Sequence, residues 1–219
     1  MKLLSEIRTL VMKDVKTELR QLYALNGLLL HVVSSVFITQ LAVKVVDPPT
    51  WNALFWIIIL FAASSAVAKA YIQESKGRLL YYYSIASPQG IILSKIIYNS
   101  LLMLLLSFLC LGVYCLLLGS VVDNMAAFVV CLLLGSLGFA STFTMMSAIA
   151  SKANSSHVLM PVLSFPVIIP FLLVLIKTAK KSMDGLDPSL IYGDMLVLFA
   201  LNVISLALAY VLFPFLWRD

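Results

Sequence analysis

A chain of 219 residues that is 62% hydrophobic and 11% charged, with a mean hydropathy of +1.05, is not a soluble domain; those carry about 25% charged and 45–50% apolar residues. Each membrane span uses about 20 residues and no long polar block interrupts the chain, so residues 1–219 read as one membrane domain. The net charge of +5 does not suggest nucleic acid, because the basic residues form no run and sit at the ends of apolar segments, where they set orientation.

The first 24 residues are too polar for a signal peptide, and no small-residue cleavage site follows the first apolar run, which is expected to remain as a span. Leu4, Ile7, Val11, Val15, Leu19 and Leu22 recur at spacings of three and four, with Glu6, Arg8, Lys13, Asp14, Lys16, Glu18 and Arg20 between them. That spacing predicts a helix over 1–24 with one apolar stripe, lying in the membrane interface. It serves either as a plain anchor or as a lever between a cytoplasmic partner and the first span.

Six apolar segments follow, at about Leu25–Val46, Trp51–Tyr71, Ile91–Leu118, Met125–Ala150, His157–Ile176 and Leu190–Phe215. The fold class is therefore all-α and polytopic, with six transmembrane helices. Eleven Lys and Arg fall on the side of the N-terminus and four on the other, which places both termini in the cytoplasm. Against that orientation stand Lys177, Lys180 and Lys181 in the fifth connection, offset by Asp184, Asp187 and Asp194.

The second connection is the longest on the cytoplasmic side. It carries Glu74, Lys76, Gly77 and Arg78, then Leu79, Leu80, Tyr81, Tyr82 and Tyr83, and a Ser87-Pro88 stop. Within this 72–90 segment a short amphipathic helix ending at the Ser-Pro fits, because the residue before a proline disfavours the helical region. The adjacent tyrosines belong to an interface belt or to a docking surface for another protein.

The membrane interior is poor in chemistry. No Walker A phosphate cradle exists, so ATP hydrolysis by that machinery needs another chain. No acid falls mid-span, which weighs against a proton- or sodium-coupled carrier. No catalytic constellation and no metal-ligand spacing is present. Cys110, Cys115 and Cys131 sit singly in apolar runs and read as buried small side chains. His31 and His157 could ligate a metal or haem iron, but a lone His in a bundle more often bonds a neighbouring helix. Gly135, Ser136, Gly138, Ala140 and Ser141 form a small-residue patch suited to close helix packing or to a dimer contact. The fifth span holds Pro161, Pro166 and Pro170. Each removes a helix hydrogen bond, and in lipid the freed carbonyls need protein partners. Ser156 and Ser164 are at hand, so the segment is expected to be a kinked helix packed inside the bundle, either static or a hinge.

The run from Leu132 to Leu173 resembles the signature region of CcmB, the haem exporter protein B of cytochrome c maturation. Leu137-Gly138-Phe139 takes the place of a Leu-Gly-rich fourth span. Met160-Pro161-Val162-Leu163 through Pro166 and Pro170 takes that of a Leu-Pro-Leu-x-x-Pro fifth span. Gly77, Leu79, Ser87-Pro88 and Ser94-Lys95 follow the second connection in form. Leu80, Tyr81 and Tyr82 depart from the Leu-Glu-Gln that follows that glycine in the family.

The resemblance implies a non-enzymatic permease subunit of an ATP-binding-cassette complex in the bacterial inner membrane. It implies a homodimer working with a CcmA-like ATPase, which holds the ATP, and with CcmC-like and CcmD-like haem-handling proteins. ATP hydrolysis would drive haem export or release of the haem-loaded periplasmic chaperone CcmE. The resemblance implies a coupling helix between the second and third spans, and with the reading of the second connection this makes Glu74, Lys76, Gly77, Arg78, Leu79, Tyr81, Tyr82 and Pro88 the expected docking segment. Haem is then the substrate rather than a resident cofactor, with His31 and His157 as candidate contacts. The competing readings are an exporter permease for another substrate and a non-transporting scaffold that relays ATPase motion.

Overall fold

The computed structural model describes residues 2–20, 22–43, 46–67, 71, 86–151 and 156–218. Seven long helices fill them: α1 (Lys2–Arg20), α2 (Leu22–Ala42), α3 (Pro48–Val67), α4 (Pro88–Leu118), α5 (Met125–Ala150), α6 (Ser156–Met183) and α7 (Pro188–Arg218). No strand occurs among the described residues. Six helices, α2 to α7, are long and apolar enough to cross a membrane, and they coincide with the six apolar segments.

Local chemistry sets the helix starts. Asp47 caps α3 by accepting the Thr50 N–H at 3.4 Å, and the Thr50 hydrogen bonds hold its carboxyl below the ordinary value. Ser87 caps α4, with Pro88 in its first turn and the Ser87 hydroxyl accepting the Gly90 N–H at 3.1 Å. The Ser-Pro pair is thus the start of α4. Asn124 caps α5 through the Ala127 N–H at 3.0 Å. At the end of α6, Gly185 takes φ +60°, a conformation that glycine adopts without strain. The chain turns there, and Met183 and Ser182 carbonyls accept the N–H groups of Asp123 and Asn124.

One difference from the sequence reading lies in this turn. Lys177, Lys180 and Lys181 do not sit in a loop; α6 runs on to Met183 and carries them in its last turns. Their charges are met by acids: Lys181–Asp194 at 2.7 Å, Lys177–Asp194 at 3.4 Å and Lys180–Asp184 at 2.6 Å. A compensated cluster can lengthen the helix without leaving bare charge at its end.

α5 occupies the centre and packs against α3, α4, α6 and α7. Its small residues let large neighbours close in. A Cβ on Gly135 would lie 2.9 Å from the Trp56 ring, and one on Gly138 would overlap the Phe171 ring. At the end of the bundle away from α1, Trp51 meets Tyr114 edge-on at 4.7 Å and stacks on Phe55 at 5.6 Å.

The helices are also stapled by polar groups. Asn99 donates to Thr144 at 2.8 Å and Ser136 to Ser107 at 2.9 Å. Asn52 donates to the Ile176 carbonyl at 2.9 Å, and Asn202 to the Leu134 carbonyl at 3.1 Å. In a bilayer such interhelical bonds contribute about 0.6 kcal/mol each on average, so they set register more than stability.

α6 is not enclosed by the bundle. Met160, Ser164, Ile168, Phe171, Leu175, Ala179 and Met183 form one buried stripe, while Pro166 and Pro170 stand on the exposed face. Its neighbours α3, α5 and α7 pack on that side, so α6 lies at the edge of the described bundle rather than inside it. The helix continues past both prolines. Ser164 donates to the Met160 carbonyl at 2.6 Å.

Replacing Gly138 by Val tests the packing. Overfilling a tight core costs about 1–3 kcal/mol, so a lower unfolding temperature in detergent is expected. Gly112→Ala, where nothing lies within 4 Å, should leave it near the wild-type value.

Candidate functional site

The structure concentrates its buried charge at one place, the contact between α1 and the first turns of α4. The two helices run alongside each other in the same sense, and residues at four-residue steps on α1 meet matching steps on α4. At the first step Glu6 accepts from the Ser87 N–H at 2.5 Å and from the Ser87 hydroxyl at 2.9 Å. Its carboxylate sits at the positive end of the α4 dipole, a favourable position for an anion. Gly90 makes room for it, since a Cβ there would overlap the Glu6 carboxylate.

One turn on, Leu10 packs against the apolar cluster that holds Ile91, Ile92 and Ile96. At the third step Asp14 pairs with Lys95 at 3.3 Å and with Lys13 at 3.0 Å. Asp14 is 9% exposed and Lys95 8%, so this pair is withdrawn from water. Lys95 also lies 5.9 Å from the centre of the Tyr71 ring, an added cation–π attraction. At the fourth step Glu18 faces Tyr98. The Tyr71 ring meets that of Phe213 at a tilt, with centroids 5.8 Å apart, so the same cluster reaches α7 and, through Met145 and Ala148, α5.

This arrangement ties two helices together. It offers no nucleophile beside a base. Removing one partner of a buried ion pair costs about 3–5 kcal/mol because the other is stranded. α1 is therefore fastened to α4 at the point where the second connection enters the bundle, and it continues directly into α2.

Of the site residues read from the sequence, Pro88 is placed in the first turn of α4, beside Ser87 and Glu6. Glu74, Lys76, Gly77, Arg78, Leu79, Tyr81 and Tyr82 lie outside the described residues, as do the His157 and Pro161 side chains. His31 is exposed on α2, away from the latch, and its carbonyl accepts from Ser35 at 2.8 Å. Among the described residues no group of three His, Cys, Asp or Glu side chains could hold a metal ion.

The sequence reading missed the latch itself. It treated Lys95 as a charge of the second connection, and the acids of α1 as part of a mixed polar face. A signal was present: Glu6, Leu10, Asp14 and Glu18 are spaced by four, a stripe in which three of four members are acidic.

An all-helical bundle with six candidate spans defines a polytopic membrane protein. The chain belongs to the CcmB protein family, whose model matches residues 5–216, nearly its whole length. Membership bears out the resemblance carried by Leu132–Leu173 and supports a haem-exporter permease role in cytochrome c maturation. No curated protein matches the chain.

The latch can be tested by a double-mutant cycle on Asp14→Asn and Lys95→Met, read as unfolding in detergent. Lys95→Met is expected to cost about 3 kcal/mol. The double variant should lose less than the two singles together, with a coupling of about 0.5–3 kcal/mol. Strict additivity would mean that the pair does not hold α1.

Proposed function

We propose that the chain is the permease subunit of an ATP-binding-cassette complex of the bacterial inner membrane, with both termini in the cytoplasm, serving cytochrome c maturation. A separate CcmA-like ATPase docks on the 72–90 segment, and CcmC-like and CcmD-like proteins handle haem beside it. ATP turnover in the partner drives haem export or release of the haem-loaded periplasmic chaperone. The observation that carries this reading, beside family membership, is the α1–α4 latch. A push delivered just before Pro88 acts on α4, and through Glu6 and Asp14 on α1 and α2 as well. Haem is cargo in this reading, and His31, exposed on α2, is a candidate contact for it.

The complex holds two copies of this chain, and the face of α6 supports that stoichiometry. Proline has no N–H, so Pro166 and Pro170 leave the carbonyls of Val162 and Pro166 without their usual donors. Both residues lie on the exposed face. Lipid supplies no hydrogen bond there, which favours covering this face with protein. We expect Leu173→Cys, on the same face and 66% exposed, to link into a dimer with a short bifunctional maleimide after the native cysteines are replaced. Cross-linking through Leu105→Cys on α4 instead would move the interface elsewhere.

Gentle affinity purification from native membranes tests the reading as a whole. Recovery of a cassette ATPase with haem-handling membrane proteins is expected. An ATPase without haem partners would favour an exporter of another substrate, and no ATPase would overturn the permease assignment. With the complex in hand, Asp14→Asn should keep the ATPase bound yet lower cytochrome c formation, on the order of tenfold for a coupling of typical size.

A further inference from the structure

The charges of α1 are sorted by face. Glu6 and Asp14 turn inward to α4, and Glu18 faces Tyr98. On the opposite side Arg8, Lys16 and Arg20 are exposed, and none of them has an ion-pair partner among the described residues. With Ser5, Thr9 and Met12 they line a shallow open groove whose described lining lies wholly on α1. Thr9 and Thr17 turn their hydroxyls back onto the helix, to the Ser5 and Lys13 carbonyls, so the recognition chemistry of the groove is cationic. Leu4, Met12 and Leu19 are exposed beside these cations, at 75%, 48% and 59%.

A helix that exposes both large apolar side chains and unpaired cations, two residues before a membrane span, fits a boundary between acyl chains and anionic headgroups. We infer that the Arg8–Lys16–Arg20 face of α1 is a binding site for the phosphate headgroups of anionic phospholipids in the leaflet that α1 meets. Leu4, Met12 and Leu19 enter the acyl region, and the three cations hold the phosphates above it. The acids that would repel such a headgroup are the ones consumed by the latch. Lipid on one face and α4 on the other then hold α1 at a fixed depth. The inference depends on α1 lying at the membrane, not on the cargo or on the ATPase.

Native mass spectrometry of the full chain in detergent tests it, with titration of dioctanoyl phosphatidylglycerol, dioctanoyl phosphatidylcholine and inorganic phosphate in separate arms. The wild type should bind phosphatidylglycerol in preference to phosphatidylcholine, and inorganic phosphate only weakly. A cation near an anionic surface contributes about fivefold in affinity. Arg8→Gln, Lys16→Gln and Arg20→Gln should therefore each reduce the preference by about that factor, and the triple variant should abolish it. Lys177→Gln, at the other end of the bundle, should leave it unchanged. Equal preference in wild type and triple variant would overturn the site, as would phosphate binding as tightly as the lipid. Loss of ATPase capture by the triple variant with lipid preference intact would assign the face to a protein partner instead. Should the triple variant fold poorly, the single variants carry the test.

Discussion

A charge withdrawn from water needs a partner, and in this protein that requirement fixes where the first helix lies. Lys95 stands two turns inside α4, in a segment apolar enough to span a membrane. Asp14 of α1 reaches it, so pulling α1 away would cost Lys95 a buried counter-charge in a low-dielectric setting. Glu6 adds a second fixed point, because the free N–H groups at the start of α4 need an acceptor. Two anchors two turns apart define the position and the direction of a helix, and α1 carries α2 with it.

The rest of the bundle obeys the same logic with weaker groups. α5 reaches the centre because Gly135 and Gly138 admit Trp56 and Phe171, and dispersion then acts over short distances. Hydroxyl and amide pairs such as Asn99–Thr144 satisfy one another where no water can. Among the described residues, the outer faces of two helices carry groups without the usual partner: carbonyls freed by Pro166 and Pro170 on α6, and Arg8, Lys16 and Arg20 on α1.

Much of the fold was legible in the sequence, because a bilayer allows few solutions. Apolar runs of about 20 residues must be helices, and the span predicted at Met125–Ala150 is the helix observed. The small-residue patch around Gly138 was equally readable as a close-packing site. Tertiary pairing was not. Nothing in the composition says that Asp14 and Lys95, 81 positions apart in the chain, share a buried contact, or that Pro166 and Pro170 face outward. Those facts depend on which helices are neighbours. The candidate site was visible only as a four-residue acidic spacing on α1, and that spacing has meaning once α4 is laid beside it.

The central claim is that α1 and α4 move as one body. The direct measurement is a pair of spin-label distances in the assembled complex, with and without ATP. One pair spans Met12 on α1 and Ile97 on α4, both exposed; the other spans Met12 and Leu173 on α6. The account predicts a Met12–Ile97 distance that stays constant across nucleotide states while the Met12–Leu173 distance shifts. A Met12–Ile97 distance that changes with ATP would show the latch opening and would contradict it.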